Sequence, residues 1–143
     1  MAEKDAVLEG LAGRISPVTG RADRFYFEVA DHDLADVVRH LFQVQGCRLS
    51  TATATETYRG LEVLYHFSHD ATGRYYCPRV VMTDRQAPRM HSITPIVKGA
   101  EWIEREMAEL FGIVFEGHPR PERLLTKDHP KPPDRPLRLR RTP

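Results

Sequence analysis

Residues Gly99 to Pro119, GAEWIEREMAELFGIVFEGHP, decide how the rest of the chain is read. Trp102, Ile103, Met107, Leu110 and Phe111 recur at helical spacing and predict one apolar stripe, while Glu101, Arg105 and Glu109 form an i, i+4 ladder on another side, which reads as a solvated face. Gly112 is the stop signal. A short apolar run, Ile113 to Phe115, and a turn through Glu116, Gly117, His118 and Pro119 follow it. Glu106 falls between Ile103 and Leu110 around the helix, so burial there requires an arginine or backbone partner, and a structural ion pair is the expected role.

Working back from the helix, Thr83 to Pro95 reads as a connection broken by Pro88 and Pro95. Arg74 to Met82 (RYYCPRVVM) reads as a strand interrupted or edged by Pro78, and Leu61 to Phe67 (LEVLYHF) alternates as a half-buried strand. Cys47 to Tyr58, with its threonines and no helical stripe, predicts a strand with one polar face, turned into the next by Arg59 and Gly60. Leu34, Val37, Val38, Leu41 and Phe42 predict a helix from about 32 to 45, capped by Asp31 and ended by Gly46. Arg24 to Val29 is a further alternating strand, and Val7, Leu8 and Leu11 a short helix weakened by Gly10 and Gly13. The expected fold is α/β of the α+β type, with a small mixed or antiparallel sheet of about four strands covered by helices. The expected organisation is one domain over 1–120 and an extended Pro/Arg-rich arm over 121–143.

The arm differs in character from the body. Residues 1–116 hold 13 Lys/Arg against 17 Asp/Glu, a balance of −4, whereas 117–143 hold 8 against 3, a balance of +5. Seven of the 11 prolines lie in 119–143, with Leu124, Leu125, Leu137 and Leu139 as apolar anchors, a pattern for an arm ordered by contact rather than by its own core. No apolar run is long enough to cross a bilayer, and the N-terminus lacks a signal-peptide hydrophobic region.

Chemical motifs are sparse. Cys47 and Cys77 form no CxxC pair and read as two structural thiols, with one disulfide as the alternative. His66 and His69 fall on opposite faces of a strand, and the other histidines lack ligand-spaced partners. No phosphate loop or nucleophile elbow is present. Arg135, Arg138, Arg140 and Arg141 would suit phosphates, but they alternate with prolines and leucines, which equally suits an arm laid in an acidic protein groove.

Ser92 to Leu125 resembles the signature region of the 30 kDa subunit of respiratory complex I and of its relatives in membrane-bound, energy-converting nickel-iron hydrogenases and formate hydrogenlyase. The resemblance is carried by Glu104, Arg105, Glu106, Phe111, Gly112, Ile113, Phe115, Gly117, His118 and Pro119, and more loosely by Pro136, Leu137 and Arg138. Glu109 stands where the family usually has Asp, and His129 to Pro133 replaces a more acidic segment. The resemblance implies a non-catalytic assembly subunit of the hydrophilic arm of a multisubunit oxidoreductase. Such a subunit binds no cofactor itself and docks on a large 49 kDa-like or hydrogenase-like catalytic subunit and a small iron-sulfur subunit. Iron-sulfur clusters, and in the hydrogenase case nickel-iron, belong to those partners, and the complex is expected on the cytoplasmic side of the membrane, peripheral through other subunits. Under this reading Trp102, Glu104, Arg105, Glu106, Phe111, Gly112, Phe115, Gly117, His118, Pro119, Leu124, Leu125 and Arg138 are structural or docking residues, with Glu104, Arg105 and Glu106 in one ion-pair network. The alternative is a free-standing adaptor or nucleic-acid binding module.

Overall fold

The computed structural model describes residues 5–129 and 137–138; the stretches 1–4, 130–136 and 139–143, including most of the prolines and arginines of the predicted arm, lie outside the described residues. Five strands form one sheet in the order β1-β2-β5-β4-β3. The strands are β1 (Thr19–Arg21), β2 (Arg24–Glu28), β3 (Arg48–Thr57), β4 (Gly60–His69) and β5 (Arg74–Met82). β3, β4 and β5 form an antiparallel meander, within the mixed or antiparallel sheet expected, and β2 joins β5 in parallel. The expected set of about four strands is thus extended by β1, three exposed residues too short to carry a period, and by a separate parallel pair of β6 (Arg89–His91) and β7 (Val114–Glu116). β6 lies inside the stretch read as plain connection.

Pro78 is not at an edge. It sits in β5, a central strand, opposite Phe27 of β2. The β5–β4 ladder is paired at Leu64–Arg79 and again at Phe67–Tyr76, and the gap between them accommodates the missing N–H. Gly60 opens β4 with φ +139, and a Cβ there would lie 2.1 Å from the Met82 carbonyl oxygen, so only glycine fits the turn.

The helix predicted over 32 to 45 exists as three successive geometries: a 3₁₀ turn at Asp31–Asp33, α2 (Leu34–Arg39) and a π turn at His40–Val44. α1 is the short Ala6–Glu9. Gly46 ends the segment at φ +70, as its sequence position implies. Asp31 does not cap it; its carboxylate instead takes the His91 N–H at 2.7 Å, tying the helix start to β6. Leu34, Val37, Val38 and Leu41 are fully buried beneath the sheet against a layer that includes Phe27, Leu61, Val63, Tyr65 and Phe67. Each such large apolar side chain contributes roughly 1.5–3 kcal/mol of transfer free energy, so this layer fixes the position of everything packed on it.

Cys47 and Cys77 are free and buried, as the preferred reading of the sequence has it. Burial pushes both thiols up to about 11, and Cys77 Sγ rests 3.6 Å from His66 Nδ1.

Candidate functional site

α3 (Glu101–Phe111) crosses the core side of the sheet beside β3 and ends at Gly112, whose φ of +73 and N–H bond to the Ala108 carbonyl make the left-handed cap that the sequence announces. The helix buries more than the face that its apolar spacing predicts, and leaves one member of that face outside. Met107 and Phe111 are buried, and Ile103 and Leu110 partly so, but Trp102 is 66% exposed while Glu104, Arg105 and Glu109 are buried. The ladder read as a solvated face is covered because the chain doubles back after β7 and lays residues 118–126 over it.

Glu104 is the fully buried carboxylate at the centre. Its Oε1 accepts the hydroxyls of Ser92 at 2.5 Å and Thr94 at 2.6 Å, and its Oε2 accepts the Tyr65 hydroxyl at 2.8 Å and the Ile93 N–H at 3.0 Å. Four donors from β4 and the β6–α3 connection thus satisfy one charge, and a buried carboxylate persists on those terms. Burial, and then the adjacent Glu104, push the Tyr65 phenol well above its usual range, which keeps it a neutral donor.

Arg105 and Glu109 act on the returning chain. Arg105 donates from Nε to the Glu122 carbonyl at 2.9 Å and from Nη2 to the Arg123 carbonyl at 3.0 Å, with Nη1 3.6 Å from Glu101. The Glu109 carboxylate accepts the N–H groups of Leu124, Leu125 and Thr126. His118 completes the corner: its Nδ1 accepts the Arg120 N–H at 3.0 Å, so the other nitrogen carries the proton and donates to the Glu101 carbonyl at 3.1 Å. Gly117, at φ +80, makes the turn that delivers His118, while Pro119 is exposed. Between α3, β7 and this returning segment remains a cavity of about 260 Å³, walled by Ala108, Ile113, Phe115 and Pro121 and flanked by Arg105 and His118.

Arg138 also returns to the domain. Its guanidinium bonds the Phe111 carbonyl at 3.0 Å, the Arg85 carbonyl at 2.7 Å and Glu56 at 3.3 Å, thereby capping the C-terminus of α3 and bridging it to β3. Leu137 donates its N–H to the Leu110 carbonyl at 3.1 Å but leaves its side chain 55% exposed. Leu124 is half-buried and Leu125 is 62% exposed.

The predicted site residues therefore divide. Glu104, Arg105, Phe111, Gly112, Phe115, Gly117 and His118 are brought together. Trp102, Pro119 and Leu125 face outward. Glu106 is half-buried and has no ion pair among the described residues, so the expected Glu104, Arg105 and Glu106 network is replaced by separate bonds from hydroxyls to Glu104 and from Arg105 to carbonyls. Tyr65, Ser92 and Thr94 escaped sequence reasoning, because hydroxyls on a core strand and a loop carry no signal until the fold places a carboxylate among them. Among the described residues no group of three His, Cys, Asp or Glu side chains could hold a metal ion, and none of the helices is long and apolar enough to cross a membrane.

Fold and site together define a small α+β domain whose buried charges hold its own backbone at one corner. The chain belongs to the 30 kDa subunit family of respiratory-chain NADH dehydrogenase, which it matches over residues 27–141. It is 40% identical over 75 residues to the C/D subunit of the NADH-quinone oxidoreductase of Bacteroides thetaiotaomicron, covering 52% of this chain and 14% of that protein. With the C subunit of the same kind of enzyme from Ruegeria pomeroyi it shares 36% identity over 105 residues, 69% of this chain and 52% of the relative. The chain thus spans about half, or much less, of these relatives' lengths. Its fold is similar to that of the trypsin-resistant fragment of Nqo5, with a TM-score of 0.68 at 22% identity over 80% of this chain and 95% of that one. It is likewise similar to a chain of an archaeal membrane-bound sulfane sulfur reductase, with a TM-score of 0.70 at 24% identity over 87% and 71%.

Proposed function

We propose that the chain is a non-catalytic structural subunit of the hydrophilic arm of a membrane-associated oxidoreductase complex, and that the corner built from α3, β7 and the returning segment docks on the large catalytic subunit. The observation that carries this reading is how the corner's ionisable side chains are used. Glu104, Arg105, Glu109 and His118 are all engaged in holding backbone or buried hydroxyls, so the corner is a rigid support. Around it the exposed Trp102, Val114 and Leu125 give the solvent side the apolar and aromatic character of an interface core. Family membership and relatives named as C and C/D subunits support the same assignment.

In this reading the redox groups, iron-sulfur clusters and in the hydrogenase-like case nickel-iron, belong to the partner subunits. A small iron-sulfur protein fills out the neighbourhood, and the complex is held peripherally on the cytoplasmic side of the membrane through other subunits. The names of the relatives favour a quinone-linked complex over a hydrogen-evolving one. Purification of the tagged chain from its native cells is the test. Recovery of a large companion and iron in stoichiometric amount is expected, with Trp102→Ala reducing that recovery; recovery of the chain alone would overturn the assignment.

A further inference from the structure

The sheet has two edges, and they are treated differently. One is closed by β1, three residues long, which leaves little to pair with. The other is β3, ten residues long, whose interior from Leu49 to Thr55 (LSTATAT) carries neither a charge nor a proline. The devices that normally blunt an edge are absent there except for a bulge between Leu49 and Thr51. The two-residue connection Tyr58–Arg59 closes on the Thr57–Gly60 pair. Ladder alternation then directs the odd residues of Thr51–Thr57 toward β4 and turns the N–H and C=O groups of Ala52 and Ala54 outward. Beyond the β4 ladder, the backbone of Leu49–Thr55 has no hydrogen-bond partner among the described residues. Among the described residues the contacts at this edge lie at its far end, where Arg85 bonds the Thr57 carbonyl and Arg138 reaches the Glu56 side chain.

A second feature lies at the open end of the same edge. A cavity of about 450 Å³ is bounded by Phe42, Leu49, Ile96 and Val97, with Arg48 and Lys98 at its rim. It opens on the core side of β3, where alternate side chains of a strand added to this edge would fall. Arg48 is paired with Asp70 at 2.7 Å, whereas Lys98 is exposed and has no anionic partner among the described residues.

We propose that β3 is a strand-addition site that accepts an extended segment of a companion protein, carrying an apolar side chain for the cavity at Leu49 and a carboxylate for Lys98. Main-chain bonds to Ala52 and Ala54 supply affinity, and the cavity and the lysine set the register. The site is separate from the α3 corner, although its occupant is expected in the complex inferred above and to that extent rests on that reading.

Hydrogen exchange on the isolated chain and on the native complex purified through it tests the proposal. The expected result is fast exchange of the outward Ala52 and Ala54 amides in the isolated chain, beside slower exchange of the β4-bonded Thr51, Thr53 and Thr55 amides, and protection of Ala52 and Ala54 in the complex. Ala54→Pro, which removes an outward N–H and no β4 bond, is expected to lower companion recovery about tenfold with the melting temperature of the isolated chain kept. Lys98→Glu, which leaves the strand intact, is expected to act in the same direction. Protection confined to α3 in the complex would overturn strand addition while leaving corner docking in place. Protection of the Ala52 and Ala54 amides already present in the isolated chain would overturn it in favour of self-pairing or of coverage by the chain itself. Absence of any companion would sink both readings.

Discussion

Arg105 and Glu109, one helical turn apart on α3, hold opposite poles of the same backbone: Arg105 binds the carbonyls of residues 122 and 123, and Glu109 binds the amides of residues 124, 125 and 126. A peptide chain laid across a helix must satisfy both kinds of group. This i, i+4 pair divides the work by charge.

Glu109→Ala is therefore expected to release the returning segment rather than unfold the domain. Losing a charged acceptor from partly buried amides costs about 1.5–3 kcal/mol. The loss is confined to contacts after residue 118, so hydrogen exchange at 122–126 rises and limited proteolysis cuts there while β4 amides stay protected. Glu109→Asp, one methylene shorter, produces a smaller rise.

Glu104→Gln is expected to be more damaging than its shape suggests. A carboxylate satisfies four donors here, whereas an amide turns two hydrogens of its own toward that cluster. Loss of about 3 kcal/mol or more is anticipated, read as a lower midpoint at unchanged slope in urea unfolding. Glu106→Gln, lacking such donors, should stay within about 0.5 kcal/mol.

Acid sensitivity should trace in part to Asp5. Burial raises the pKa of this carboxyl, but the Tyr76 hydroxyl, the Leu8 and Val7 amides and Arg74 together lower it below its usual 3.8. A lowered folded-state value stabilises above the unfolded value and is lost as pH falls through the folded one. Stability should thus fall below about pH 4, and Asp5→Asn should flatten that limb while keeping the cap of α1, because an asparagine oxygen still accepts the Val7 amide. Urea midpoints measured between about pH 2 and 6 check this.

Arg138→Ala should loosen the C-terminus of α3, since one guanidinium joins the Phe111 and Arg85 carbonyls to Glu56. A cost of about 1–3 kcal/mol is expected in chemical denaturation, and Arg138→Lys should recover little of it because an ammonium cannot span three divergent acceptors.

Both cysteines should be silent in the native protein. Each thiol is buried and pushed up to about 11, so little thiolate forms at neutral pH. A thiol-reactive chromogen should label both cysteines in denaturant and neither without it.

Features that depend on neighbours along the chain are settled by residue order. Period-two alternation marks β2 and β4, threonine-rich and β-branched runs mark β3 and β5, period 3.6 marks the α2 segment and α3, and Gly46 and Gly112 mark both helix ends because a left-handed cap suits glycine there. The pattern Glu101 to Pro119 is also specific enough to carry the family. Which side of α3 is inside was settled only by the folded chain. Spacing put Trp102 with the apolar residues and Arg105 with the solvent, yet the returning chain buries the arginine and leaves the tryptophan out. The fold also placed Pro78 in a central strand and joined Tyr65 to Glu104 across 39 residues of sequence. Periodicity reports how hydrophobic a face is, whereas burial depends on which backbone arrives to cover it, and a buried charge is tolerated wherever that backbone brings enough hydrogen-bond partners.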